Sequence, residues 1–199
     1  MDAPFEVTWD YLCPFARNAH EHLVTALRDG AGWDVRFRYF SLSQSHMGHG
    51  QSVWDDPAAH SGVLAGLAGI VVREQHPDHF LDAHMALFSA RHDQGHDLRD
   101  PERVAEALVS VGLDGATVVK EALSGWPAER GRQEHEGAVA QWEVFGVPTF
   151  ISGDRAAFVR LMHRPRGDAS VARETVGKVL ELFGDFPQLN EYKFTRVPQ

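Results

Sequence analysis

The chain has 199 residues, of which 43% are hydrophobic and 24% charged, and this composition predicts a globular protein with one domain or one domain carrying an insertion. The formal net charge of -9 argues against nucleic acid as a partner, because phosphate binding needs clustered Lys and Arg that the sequence does not show. The start of the chain is acidic where a secretory signal is basic, and no apolar stretch approaches the about 20 residues of a membrane span, so we expect a cytoplasmic protein without membrane contact.

The first 50 residues predict a β-α-β unit. Residues 5–9 alternate between apolar and polar and indicate a strand, and helical spacing then runs from Pro14 to about Leu27, before Gly30. Residues 35–40 alternate again as a second strand. This order is typical of two parallel strands joined by a crossover helix.

Helical spacing alone continues from about residue 52 to 145. Within it we predict five helices, at 57–74, at 77–91, from 101, from 114 and at 127–145. Asp100 and Asp114 are suitable N-cap residues for the third and fourth of these helices.

The rest of the chain returns to strands. We predict a hairpin of strands 149–151 and 157–161 around a turn at 152–154, then a helix at 169–183 and an irregular tail from 185 to 199.

The only cysteine of the chain, Cys13, lies at the junction between the first strand and the first helix. The partial positive charge and the free N–H groups of a helix start stabilise a thiolate, so we expect a lowered pKa and a nucleophilic thiol. The structural alternative is a small core residue, the usual role of a lone cysteine. Because one cysteine cannot form an internal disulfide, any disulfide chemistry involves a second molecule.

Two short motifs carry a resemblance to the thioredoxin superfamily: Cys-Pro-Phe-Ala at 13–16 and Gly-Val-Pro-Thr at 146–149. The helical block between them resembles the DsbA branch, and the order of elements agrees from about residue 5 to 183. The resemblance implies an α/β thioredoxin fold, formed by residues 1–51 and 146–199, with an inserted all-helical subdomain at 52–145.

The same resemblance implies roles for individual residues. Cys13 matches the nucleophilic cysteine and Pro148 the cis-proline, whereas Ala16 stands where the family has its second cysteine. The residues expected to present the substrate or a thiol are Pro14, Phe15, Val147 and Pro148.

The missing second cysteine decides which reactions we expect. In a dithiol enzyme the second thiol releases the substrate from the mixed disulfide. Here an external low-molecular-weight thiol, such as glutathione or mycothiol, would have to resolve Cys13, with no tightly bound cofactor. The expected function is therefore a monothiol thiol-disulfide oxidoreductase that acts on a protein or small-molecule thiol or disulfide.

Two alternatives remain open. The fold also resembles kappa-class glutathione transferases and 2-hydroxychromene-2-carboxylate isomerases, which implies a transferase or isomerase that activates a bound thiol. The third interpretation is a binding module that has lost catalysis.

Several further residues near the junction are candidates for the site. Trp9, Tyr11 and Phe15 could form an apolar rim, with Phe15 favoured and Trp9 also suited to the core. The hydroxyls of Ser41 and Ser43 could hold a thiol, or belong to a plain loop.

The chain has twelve histidines, which is enough to consider a metal site. Three pairs have ligand-like spacing: His92 with His96, His46 with His49, and His76 with His79. We expect surface histidines and no metal site, because no cysteine or further ligand motif accompanies them. His20 lies two turns after Cys13, so we expect packing or exposure rather than a role as a base.

Overall fold

A mixed sheet of four strands, in the order β2-β1-β3-β4, forms the centre of the structure. The computed structural model describes residues 4–48, 50–186, 188–191 and 193–194. The strands are β1 (Phe5–Trp9), β2 (Val35–Tyr39), β3 (Thr149–Ser152) and β4 (Arg155–Phe158). β1 runs parallel to β2, while β3 runs antiparallel to both β1 and β4. The predicted α/β fold with a parallel first pair is confirmed.

The described residues form eight α-helices. They are α1 (Pro14–Arg28), α2 (Leu42–Ser45), α3 (Val63–Gln75), α4 (Phe80–His92), α5 (Pro101–Val109), α6 (Gly115–Ala122), α7 (Trp126–Trp142) and α8 (Ala169–Asp185). α1 and α8 pack together on the sheet, and the apolar residues between them include Val7, Leu23 and Val176. The helices α3 to α7 form the predicted helical block.

Several element bounds differ from the predicted ones. Each of the first two helices of the block is preceded by a short 3-10 turn, at Pro57–Ala59 and at Pro77–His79. α3 begins only after Gly62, whose φ of 78° interrupts helical geometry. α7 ends at Trp142 rather than at 145, because Glu143 adopts a left-handed φ of 54°.

The hairpin is tighter than predicted. Gly153, with a φ of 61°, allows a two-residue turn, so Ser152 pairs directly with Arg155. β4 therefore covers 155–158 instead of 157–161, and the residues after Phe158 leave the sheet.

The helical block and the sheet share one apolar core. Trp9 of β1 and Tyr39 of β2 are fully buried in the same cluster as the apolar residues of α3 and α4.

A buried ion pair also joins the block to the outer edge of β2. Arg73 donates to Glu134 at 2.6 Å and to the carbonyl oxygen of Phe37 at 2.6 Å. The Tyr39 N–H donates to Glu134 at 2.7 Å. Two backbone groups of the edge strand are thus satisfied by side chains of α3 and α7.

Candidate functional site

Cys13 is the N-cap residue of α1. Its Sγ accepts a hydrogen bond from the N–H of Ala16 at 3.4 Å, and Pro14 takes the first helical position. Because proline lacks an N–H, no backbone donor is left without an acceptor at this position, and the φ of proline already fits a helix. The thiol therefore sits where the free N–H groups of the helix converge.

The thiol faces the loop before β3. Cys13 Sγ donates to the carbonyl oxygen of Val147 at 3.2 Å, and the Val147–Pro148 peptide bond is cis. This contact joins residues 134 positions apart in sequence. The structure thus brings together the two motifs on which the sequence interpretation rests.

Burial governs the ionisation of the thiol. Cys13 is only 8% exposed, and burial raises its pKa, although the N–H groups of Ala16 and Phe15 act in the opposite direction. Ionisation would also cost the hydrogen bond to Val147 and leave a thiolate beside a carbonyl oxygen. The expectation of a lowered pKa is therefore wrong, because the loss of hydration outweighs the effect of the helix start.

The first turn of α1 places two apolar residues beside the thiol at the surface. Pro14 is exposed and Phe15 half-buried, so both are accessible at the surface beside Cys13. Ala16 is fully buried and carries no polar side chain.

Asp10 is a buried carboxylate three residues before the thiol that the sequence analysis missed. It accepts hydrogen bonds from the N–H groups of Leu12 at 2.8 Å and Leu42 at 2.7 Å. Burial raises the pKa of Asp10 to about 6, while these two donors favour the charged form. Its negative charge also raises the pKa of Cys13. An acid inside the apolar run at 9–12 is the signal that could have identified it.

Beneath this loop runs a fully buried chain of hydrogen bonds. The carbonyl of Thr8 can only accept, so His20 donates to it from Nε2 at 3.0 Å. Nδ1 of His20 then accepts from His84 Nε2 at 3.0 Å, and His84 Nδ1 accepts from the Tyr11 hydroxyl at 2.9 Å. Burial lowers the pKa of both histidines, to about 4 for His20, so both are neutral. His20 serves packing, as expected.

The proposed apolar rim is only partly correct. Trp9 and Tyr11 are fully buried and belong to the core, so of the three candidates only Phe15 reaches the surface. The strand period explains Trp9, and the hydrogen bond to His84 explains Tyr11.

Two other aromatic residues lie beside the 146–149 motif that the thiol contacts. Phe145, next to the 146–149 motif, is 71% exposed, and its ring lies 5.1 Å from that of Phe158 at the end of β4. The N–H of Val159 donates to Pro148 at 3.0 Å, and the guanidinium of Arg160 lies over the Phe15 ring at 5.4 Å. Sequence spacing could not reveal these neighbours, because they depend on the register of the hairpin.

The hydroxyls expected to hold a thiol are engaged within the protein. Ser41 is the N-cap of α2 and accepts from the N–H of Gln44, while Ser43 donates to the carbonyl of Ser61 at 2.7 Å. The segment is a short helix rather than a loop.

The first of the three histidine pairs does not share a helical face. α4 ends at His92, which donates to the carbonyl of Tyr11 at 2.9 Å, and His96 lies beyond the helix. His76 and His79 are exposed, and His49 lies outside the described residues. No group of three or more potential ligands is close enough to hold a metal ion in the part of the chain described.

A cleft of about 560 Å³ lies elsewhere, beside β2. Its walls include Arg36, Phe80 and Arg130, and neither of the two motifs contributes to it. The thiol does not open into this cleft.

None of the helices in the described ranges is long and apolar enough to cross a membrane.

The comparisons with known proteins agree with this fold. A profile of the family described as "DSBA-like thioredoxin domain" matches residues 6–163, and a search of curated protein sequences found no match. Solved structures with the same fold include DsbA from Pseudomonas aeruginosa, 20% identical with a TM-score of 0.57, covering 90% of this chain and 84% of that one.

Two further structures have different activities in their names. The cytosolic disulfide reductase DsbM from Pseudomonas aeruginosa, solved with GSH, is 16% identical with a TM-score of 0.60, over 90% of this chain and 100% of that one. A 2-hydroxychromene-2-carboxylate isomerase is 17% identical with a TM-score of 0.61, over 92% and 98%. At sequence identities of 20% or less, these similarities show a shared fold and no more.

Proposed function

Since the chain belongs to the DsbA-like thioredoxin-domain family, we propose that it catalyses thiol-disulfide exchange through Cys13 and depends on an external low-molecular-weight thiol to complete each cycle. The observation that carries this proposal is the position of Cys13 as N-cap of α1, with its sulfur 3.2 Å from the Val147 carbonyl. Pro14, Phe15, Val147 and Pro148 are proposed to border the substrate or the small thiol.

The proposed reaction has two exchange steps. Cys13 first loses its proton to solvent, and the thiolate attacks the small-thiol sulfur of a mixed disulfide, so that a new disulfide forms and the substrate leaves as a thiolate that takes up a proton. A second small thiolate then attacks the sulfur bound to Cys13, which yields a small symmetrical disulfide and regenerates the cysteine. Overall, a mixed disulfide and one thiol become a free substrate thiol and an oxidised small thiol.

The residue at position 16 explains why the second thiol must come from outside. Ala16 donates its N–H to Cys13 Sγ but has no side-chain thiol, so the adduct has no internal resolving group. The neighbour DsbM was solved with GSH, and by analogy a glutathione-like thiol is the proposed partner, in the cytoplasm.

The test is intact-mass analysis with an oxidised small thiol at pH 8, compared with Cys13→Ala. We expect one adduct per chain, absent in the variant and removed by the reduced thiol. A wild-type protein that stays unmodified over hours while fully folded would contradict the proposal.

A second candidate is a transferase or isomerase that activates a bound thiol. The observation that favours it is the raised pKa of the buried Cys13, since a bound thiol does not need the protein's own nucleophile. Cys13→Ser separates the two, because it abolishes exchange but leaves a reaction of a bound thiol largely intact.

A further inference from the structure

Arg160 is a cation without an ion-pair partner among the described residues, at the end of the hairpin that borders Cys13. By contrast, two other arginines, in α1 and in the segment after β4, are paired: Arg17 with Asp93, and Arg164 with Glu21 and, at 3.6 Å, with Asp93. Arg160 is exposed, so its guanidinium is open to a ligand from solution.

The backbone fixes where this guanidinium lies. Val159 donates to Pro148 at 3.0 Å, so residue 160 follows directly after the last contact with the Val147–Pro148 loop. The guanidinium lies over the ring of Phe15 at 5.4 Å, two residues after Cys13. Arg160 is close enough for its charge to act on the thiol in the direction of ionisation.

A guanidinium over an aromatic face keeps its N–H edge available. The contact with the ring engages none of the five N–H donors in a hydrogen bond, and these donors match the two oxygens of a carboxylate. The contact with Phe15 also limits the freedom of the long Arg160 side chain before a ligand binds, which reduces the entropy lost on binding.

We propose that Arg160 binds a carboxylate of the small thiol or disulfide that reacts with Cys13, so that the substrate class is anionic low-molecular-weight thiols. This inference rests on the proposed exchange reaction and deepens it. It favours a thiol with free carboxylates, such as glutathione, over an uncharged one such as mycothiol.

The first experiment compares three small disulfides of similar size and different charge. They are 3,3′-dithiodipropionate, 2-hydroxyethyl disulfide and cystamine, which are anionic, neutral and cationic. The rate of adduct formation is measured for the wild type, for Arg160→Gln and for Arg155→Gln. Arg155 is a matched control, because it lies on β4, at the far end of the same hairpin, with its guanidinium over the Phe183 ring at 5.2 Å.

The decisive quantity is the ratio of the anionic to the neutral rate, since any general effect of Arg160 on thiol ionisation cancels in it. We expect this ratio to fall about fivefold in Arg160→Gln, the effect of one close charge pair in water, and to stay unchanged in Arg155→Gln. An unchanged ratio in Arg160→Gln, or an equal fall in both variants, would overturn the inference.

A binding measurement tests the inference without the reaction. In the Cys13→Ser protein, which cannot form an adduct, 3,3′-dithiodipropionate should give saturable NMR shifts of the amides of residues 15 and 16, and Arg160→Gln should abolish them. Absence of these shifts in the Cys13→Ser protein contradicts the carboxylate site. By contrast, a wild-type Cys13 that is inert towards all three disulfides contradicts the exchange reaction itself.

Discussion

At the scale of single residues, several opposing influences act on one sulfur atom. Burial of Cys13 and the charge of Asp10 favour the thiol, while the N–H of Ala16 and the guanidinium of Arg160 favour the thiolate. The net result is a raised pKa, so most molecules carry a protonated thiol at neutral pH. A helix start alone does not make a cysteine acidic when its sulfur has lost most of its water.

The rate of Cys13 alkylation by iodoacetamide should rise about tenfold per pH unit between pH 6 and 8, because the thiolate is the reactive form and its fraction increases in proportion to hydroxide. Single-time-point mass spectrometry across this range measures the rate, and Cys13→Ala supplies the background. A plateau below pH 7 would mean that the thiol is acidic after all.

Part of the candidate site could be predicted because it depends on local structure and on two short motifs. The neighbours of Cys13 in the first turn follow from local helix geometry, and the Val147–Pro148 loop follows from the second motif. Asp10 and Arg160 were missed, because burial of a carboxylate and the register of a hairpin depend on tertiary packing rather than on spacing.

At the scale of elements, α3 and α7 hold the outer edge of β2. Arg73 and Glu134 form a buried ion pair and together satisfy the Phe37 carbonyl and the Tyr39 N–H. Each also has a second partner, Glu74 for Arg73 at 2.8 Å and Arg130 for Glu134 at 2.9 Å, so removing one side chain mainly costs the hydrogen bond to the strand.

Glu134→Leu should lower the free energy of unfolding by about 1–3 kcal/mol, the usual cost of a buried donor left without a partner, because the Tyr39 N–H loses its acceptor while Arg73 keeps Glu74. The double variant Arg73→Met with Glu134→Leu should lose clearly less than the sum of the two single losses. Urea denaturation of the four proteins measures both quantities. Additive losses would show that the two side chains act independently.

The elements themselves were predictable where their signals are local. β1 was predicted at its observed bounds, and Asp100 and Asp114 cap α5 and α6 as expected. The start of α3 and the end of α7 were not predicted, since Gly62 and Glu143 take left-handed conformations that composition alone does not indicate.

At the scale of the whole molecule, the buried histidines tie stability to pH. His20, His84 and His135 all have a pKa lowered by burial, to about 4 for His20 and His135. The native state therefore binds fewer protons than the unfolded chain between about pH 6.5 and 4, and stability falls as pH is lowered through this window. Asp10, with a raised pKa, offsets part of this loss below about pH 6.

His135→Phe should reduce the acid-induced loss of stability. His135 packs against Phe40 with ring centroids 4.4 Å apart, and its buried Nδ1 has no hydrogen-bond partner among the described residues. A pKa of about 4 against an ordinary 6.5 corresponds to roughly 3 kcal/mol that the variant no longer loses between pH 6.5 and 4. Denaturation at pH 7 and pH 4 gives the difference, and equal losses in wild type and variant would contradict the assignment.

The division of the chain into 1–51 with 146–199 and an insertion at 52–145 stays a prediction. The apolar core is continuous between the sheet and the helical block, since Trp9 and Tyr39 pack in one cluster with the helices. We therefore expect the two parts to unfold together.

The capped edge of β2 affects how copies of the protein meet each other. An open strand edge is a template on which a neighbouring chain can add a further strand, and such additions lead to aggregation. At the Phe37 carbonyl and the Tyr39 N–H, an approaching chain meets the donor of Arg73 and the acceptor of Glu134 instead of free backbone groups. The helical insertion thus protects the C-terminal half of this edge against self-association.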